Sequence, residues 1–146
     1  NKKGNAWWIF NFPFNLIDEP VFVLTCDNIT NVNFKLIEKD YIKKRKPECF
    51  LIPVKPIKKL EGDYIHKKKN LVLKLSRKIK SDIYCSGIQV INPYRINKSM
   101  KKTEDFNKVW RKLILKKKLI VSDVLPSKWF TIDNVEQLSS YKKRKY

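Results

Sequence analysis

Two carboxylates that end apolar stretches far apart in the chain are the side chains best suited to chemistry. Asp27 closes Val21-Phe22-Val23-Leu24-Thr25-Cys26, and Asp133 closes Trp129-Phe130-Thr131-Ile132. Brought to one edge of a sheet, two carboxylates repel unless a cation lies between them, and a hard divalent ion with oxygen ligands is the natural occupant. Mg2+ held by one or two carboxylates keeps several waters and takes phosphate oxygens as its other partners, as in phosphoryl and nucleotidyl transfer. The plainer reading of Asp27-Asn28 is a turn that caps the following helix. His66, the only histidine, excludes a two-histidine metal site, and beside Lys67, Lys68 and Lys69 it reads as surface.

Elements must carry the two acids. Val21-Phe22-Val23-Leu24 reads as a short strand buried on both faces in the middle of a parallel sheet. In an open α/β sheet the ligand crevice lies beyond the carboxyl ends of such strands, which is where Asp27 falls. Phe34, Ile37 and Tyr41 recur at helical spacing between residues 31 and 44, and Pro47 closes that segment. Cys49-Phe50-Leu51-Ile52-Pro53-Val54 then reads as a second buried strand, parallel to the first through that helix, a βαβ unit.

Residues 62–66 and 71–75 read as a hairpin with His66 at its tip. A strand follows over residues 82–93, with Gly87 inside it; an interior glycine marks a bulge or a close approach. Phe106, Val109, Trp110, Leu113 and Ile114 form a helical stripe opposite a lysine-rich face, started by Thr103-Glu104-Asp105. Short extended pieces lie at 119–124 and 127–132, and Val135 starts a last helix. Nearer the start, Gly4-Asn5 leads into an apolar helix that Pro13 ends near Phe12, with Trp7 and Trp8 reading as core. Residues 141–146 read as a basic, frayed tail.

At 146 residues, with 42% hydrophobic content, the chain fits a single globular domain spanning 1–146. The formal charge of +19 invites nucleic acid, an anionic membrane surface or a polyanionic substrate. The surplus is nearly all Lys, however, whereas Arg suits bidentate phosphate and base-edge contacts. With Asn and Ile also abundant, the charge looks like compositional drift, and a nucleic-acid role is not favoured. Cys26, Cys49 and Cys85 match neither a disulfide framework nor a zinc spacing, which fits a reducing cytoplasm. No apolar run approaches the length of a membrane span. The first residue is Asn, and structured-looking sequence begins at once, so a missing beginning is expected.

Five pieces taken in order resemble a known family. They are Gly4-Asn5-Ala6, Phe22 to Asn28, Ser86-Gly87-Ile88-Gln89-Val90, Phe106 to Leu113, and Trp129 to Gln137. Together they resemble the sugar-phosphate nucleotidyltransferases, the NDP-sugar pyrophosphorylases and their relatives, over most of the chain. The resemblance implies a GT-A-like (Rossmann-like) α/β fold, a mixed sheet flanked by helices, lacking the first βα unit. It implies that Asp27 and Asp133 hold Mg2+ against the phosphates of an NTP while a sugar 1-phosphate oxygen attacks the α-phosphorus and expels pyrophosphate. It places Gly4 and Asn5 near the nucleobase and Gly87 where the sugar approaches the sheet, with Asn28 and Trp129 beside the substrate and Lys78 able to meet a phosphate.

The pattern also departs from the family. The Gly-rich phosphate loop after the first strand is absent, so this stretch alone is expected to be inactive. Cys26 replaces a usual Gly, Asn134-Val135 replaces Gly-Thr, and Arg77-Lys78 stands where Glu-Lys is usual. Two other readings are a GT-A glycosyltransferase using an NDP-sugar and a basic nucleic-acid-binding domain.

Overall fold

The computed structural model describes residues 3–58 and 60–143. Its centre is β3 (Cys49–Val54), buried at all six positions. Side chains alternate across a strand, so Cys49 and Leu51 enter one core while Phe50, Ile52 and Val54 enter the other. Each such side chain, fully removed from water, contributes roughly 1.5–3 kcal/mol. Two strands pair with β3: antiparallel β6 (Tyr84–Ile91) on one side and parallel β7 (Leu119–Val121) on the other. The six-stranded sheet runs β1 (Val21–Val23), β6, β3, β7, β5 (Leu71–Ser76), β4 (Asp63–Lys68).

Helices cover both faces. On one face lie α1 (Trp7–Asn11), α3 (Pro93–Ser99) and α4 (Phe106–Leu115), whose Ile9, Phe10, Ile96, Val109 and Leu113 join Cys49 and Leu51. The other face takes α2 (Phe34–Lys43), through Ile37 and Tyr41. Asn33, Asn92 and Asp105 cap α2, α3 and α4, each accepting a backbone N–H of the first turn. The architecture is therefore a mixed α/β sheet flanked by helices, as the sequence implied.

Several expectations need correcting. β1 is neither central nor within a parallel sheet: it is a half-buried, three-residue edge strand antiparallel to β6. Its run of apolar residues reported burial, but the partner strands decided its place. β1 and β3 do point the same way, since both are antiparallel to β6, yet β6 lies between them, so they form no adjacent βαβ pair. Asp27 does not end β1 directly. The chain turns first, and Asn28 opens β2 (Asn28–Asn31).

His66 is not at the hairpin tip. It sits within β4 opposite Lys74, with Nε2 3.1 Å from the Ile79 carbonyl, and the turn is made at Lys69-Asn70, where Lys69 adopts φ 53°. Phe34 lies at the margin of the core, more than half exposed, edge-on to Phe22. Trp7 and Trp8 are only half-buried, and Ile9 and Phe10 occupy the core in their place. Helix α3 went unanticipated although Asn92-Pro93 marks its start, an N-cap followed by proline at the first helical position. Of the expected frayed tail, Tyr141 and Lys142 belong to α5 (Val135–Lys142), with Tyr141 packed on Phe130, while residues 144–146 lie outside the described residues.

Candidate active site

The two acids arrive at one place through a ribbon separate from the main sheet. β2 pairs antiparallel with β8 (Lys128–Thr131), Asn28 facing Thr131 and Thr30 facing Trp129. One step beyond this register, the Ile132 N–H donates to the Asp27 carbonyl at 3.0 Å. Asp27 and Asp133 therefore leave the same end of the ribbon, one residue out of register. Asp133 is exposed; its backbone N–H donates to Gln137 Oε1 at 2.5 Å, and its carboxylate lies 3.5 Å from the Thr131 hydroxyl. Asp27 is half-buried and accepts from Asn28 Nδ2 at 3.3 Å.

Asn28 fastens the ribbon to the sheet. Its Nδ2 donates to Thr25 Oγ1 and, at 3.3 Å, to the Ser86 carbonyl, while its Oδ1 accepts from the Trp129 indole N–H. The amide thus ties β2, β8 and β6 together beside the acids. Gly87 follows Ser86 at φ +83°, where an added Cβ would stand 3.3 Å from Thr25 Cγ2. Left-handed backbone in mid-strand is what glycine tolerates, and here it presents the Ser86 carbonyl to Asn28.

A polar pocket of about 360 Å³ opens here, walled in part by Asp133, Trp129, Ser86, Tyr84, Asp63 and Arg77. Asp133 lines it; Asp27 is not among its lining residues. Burial raises the Tyr84 phenol to about 12 and the Cys85 thiol to about 12, so both stay protonated at neutral pH.

Asp63 and Glu61, which line this pocket, and Lys108, which lines the one beside it, were not singled out in the sequence. Asp63 opens β4 and lies 3.5 Å from Arg77 Nε. Arg77 and Asp63 also wall a second pocket of about 460 Å³, which contains Lys78 and Lys108. A cationic wall therefore adjoins the acid-lined pocket. Gly62-Asp63 before a strand was a usable signal for the acid; nothing local marks Lys108, one of many lysines.

Gly4 and Asn5 are held elsewhere, against the residues preceding α4. A Cβ on Gly4 would come within 2.1 Å of the Glu104 carbonyl oxygen, the Ala6 N–H donates to that same oxygen at 3.0 Å, and Asn5 Oδ1 accepts the Phe106 N–H at 3.1 Å. Their visible work is to lock α1 to α4.

Beside the two carboxylates lie further oxygens, the Thr131 hydroxyl and the Ser86 carbonyl. Such a set suits Mg2+, which needs few protein ligands when phosphates and waters supply the rest. Among the described residues no group of three or more His, Cys, Asp or Glu side chains gathers, so a densely ligated transition-metal site is not offered there.

The fold is that of solved sugar-phosphate nucleotidyltransferases. An inositol-1-phosphate CTP transferase from T. maritima superposes with a TM-score of 0.72 at 19% identity, covering 97% of this chain and 62% of that one. A protein assigned as a glucose-1-phosphate thymidylyltransferase from Bacillus anthracis superposes with a TM-score of 0.70 at 11% identity, covering 96% of this chain and 60% of that one. The chain thus spans about three fifths of the length of both structures. No protein-family model and no curated protein sequence matches it.

Proposed function

We propose that the chain forms the acid-bearing part of a nucleotidyltransferase that joins the nucleoside monophosphate unit of an NTP to a sugar 1-phosphate with release of pyrophosphate. The observation that carries this reading is the arrival of Asp27 and Asp133 at one end of the β2–β8 ribbon, beside a polar pocket with a cationic wall. Asp27 and Asp133 would hold Mg2+, which supplies charge neutralisation and orientation at the phosphates. Asn28 and Trp129 keep the two acid-bearing strands in register. Lys78 and Lys108 offer positive charge to phosphate oxygens, and Ser86-Gly87 leaves room for the acceptor near β6. The attacking oxygen belongs to the acceptor's own phosphate, so no side-chain nucleophile is required.

The phosphate-binding Gly-rich loop expected of such an enzyme is not found in this sequence. Among the described residues β1 pairs on one side only, and exposed Phe34 packs on its Phe22. Within this proposal, a segment carrying the loop adds a strand to that edge, and the 146 residues are one incomplete domain. Free Cys26, Cys49 and Cys85 are consistent with a reducing, cytoplasmic setting, and no described helix is long and apolar enough to cross a membrane.

The test uses the full-length protein with Mg2+, each NTP in turn, and glucose 1-phosphate or inositol 1-phosphate, following pyrophosphate. Release with one pair is expected, together with its loss in Asp27→Asn at unchanged circular dichroism. Full activity in that variant would overturn the assignment.

A further inference from the structure

A further cleft lies between β5 and α4, beyond the cationic wall. It measures about 310 Å³ and is floored by Leu73, Leu75, Ile114 and Leu115, with Lys74 and Arg111 at its sides. Leu73 is 51% exposed and Leu115 83%, so this apolar floor is open to water. The neighbouring strand β7 meets β5 at one register position, Leu71 opposite Ile120. Residues 73–76 of β5 therefore lack a strand on that flank among the described residues.

An open strand flank with an apolar trough beside it is the arrangement that accepts an added strand, because the peptide's backbone pairs while alternate side chains enter the trough. The dimensions agree. Four residues of β5 run about 13 Å, and Asn107 to Leu115 along α4 rises about 12 Å. The charge is one-sided: no hydrogen bond or ion pair among the described residues engages the side chains of Lys74 or Arg111. Asp63, the acid of this cleft, already faces Arg77. We propose that the β5–α4 cleft is a docking site for an extended acidic segment of a partner protein, with alternating aliphatic and carboxylate side chains, added as a strand to β5. Aliphatic side chains would cover Leu73, Leu75, Ile114 and Leu115, and carboxylates would meet Lys74 and Arg111.

A chain of charge +19 binds acidic peptides weakly at any face, so the test must separate this cleft from bulk attraction. The probe is a fluorescein-labelled ten-residue peptide of alternating Glu and Val, titrated by anisotropy at about 0.15 M salt. Three comparisons decide. The pair Lys74→Glu/Arg111→Glu is expected to weaken binding about tenfold, whereas Lys35→Glu/Lys39→Glu on exposed α2, an equal change of charge, should weaken it less than about twofold. A peptide N-methylated at alternate residues keeps its charge but loses backbone donors, and it should also bind about tenfold more weakly. Equal losses from the two charge pairs, or undiminished binding of the methylated peptide, would overturn the proposal. So would displacement of the peptide by oligouridylate with the same dependence on Lys74 and Arg111, which would assign the cleft to single-stranded RNA.

Discussion

At the ribbon end of the molecule, one side chain gathers several partners: Asn28 alone engages Thr25, Asp27, Ser86 and Trp129. Along β5 and α4 the opposite holds, and Lys74, Lys78, Lys108 and Arg111 carry charge that no described side chain neutralises. The first region fixes geometry and the second supplies field. A preorganised acid pair is sensitive to displacements of an ångström, whereas a lysine wall tolerates rearrangement because each ammonium moves on a flexible stem. Substitutions should therefore act steeply in one region and gently in the other.

The largest effect is expected at the acids. Asp133→Asn in the full-length protein should cut Mg2+-dependent pyrophosphate release by about 10²–10³, roughly 2.7–4 kcal/mol of transition-state stabilisation. Single-turnover kinetics would measure it, and a loss under fivefold would erase the contrast with the lysine wall.

Next come two glycines, Gly4 at the contact of α1 with α4 and Gly87 beside the ribbon. Gly4→Ala meets the Glu104 carbonyl and should cost about 2–3 kcal/mol in urea unfolding. Gly87→Ala, at φ +83° with Thr25 yielding a little, should cost about 1–2 kcal/mol and also lower turnover, since Ser86 anchors Asn28. A stabilised Gly87→Ala protein would mean that the strand does not hold this conformation in solution.

The cationic wall should respond less. Lys78→Gln with Lys108→Gln is expected to raise the KM for the sugar phosphate about threefold to tenfold with kcat nearly unchanged, the pattern of lost uniform binding. A fall in kcat alone would move these lysines into the reacting geometry.

The smallest effect concerns acid stability. Hydrogen bonds from Lys44 and Asn70 hold the Asp123 carboxyl below its ordinary value of 3.8. Its folded pKa is depressed, so its contribution is present above the unfolded value and is lost as pH falls through the folded one. Asp123→Asn should flatten the stability profile below about pH 4 and leave its shape at pH 6–8 unchanged. Asp123 is largely exposed, so the change should be small.

Much of this was legible in the chain. The stripe Phe106, Val109, Trp110, Leu113 and Ile114 marked α4 because helical spacing turns those positions one way, and all but Ile114 are buried. Gly87 announced the irregular point of β6. Asp27 and Asp133 stood out as candidates because an apolar run halting on a carboxylate is uncommon. The edge position of β1 was not legible, since three apolar residues look alike beside one partner strand or two. Nor was the place of Lys108 in a pocket wall, since no local pattern separates it from its neighbours.

Sequence by itself determined which residues are apolar, where α2, α4 and α5 lie and which acids stand at the ends of apolar stretches, because these follow from side-chain chemistry and local backbone preference. Only the tertiary structure decided that β6 enters between β1 and β3, that β2 and β8 form their own ribbon, and that Asp63 and Arg77 join the acid pocket to the cationic wall. Those facts rest on pairings between residues distant in the chain, whose hydrogen bonds and shared burial leave no mark on either partner's own sequence.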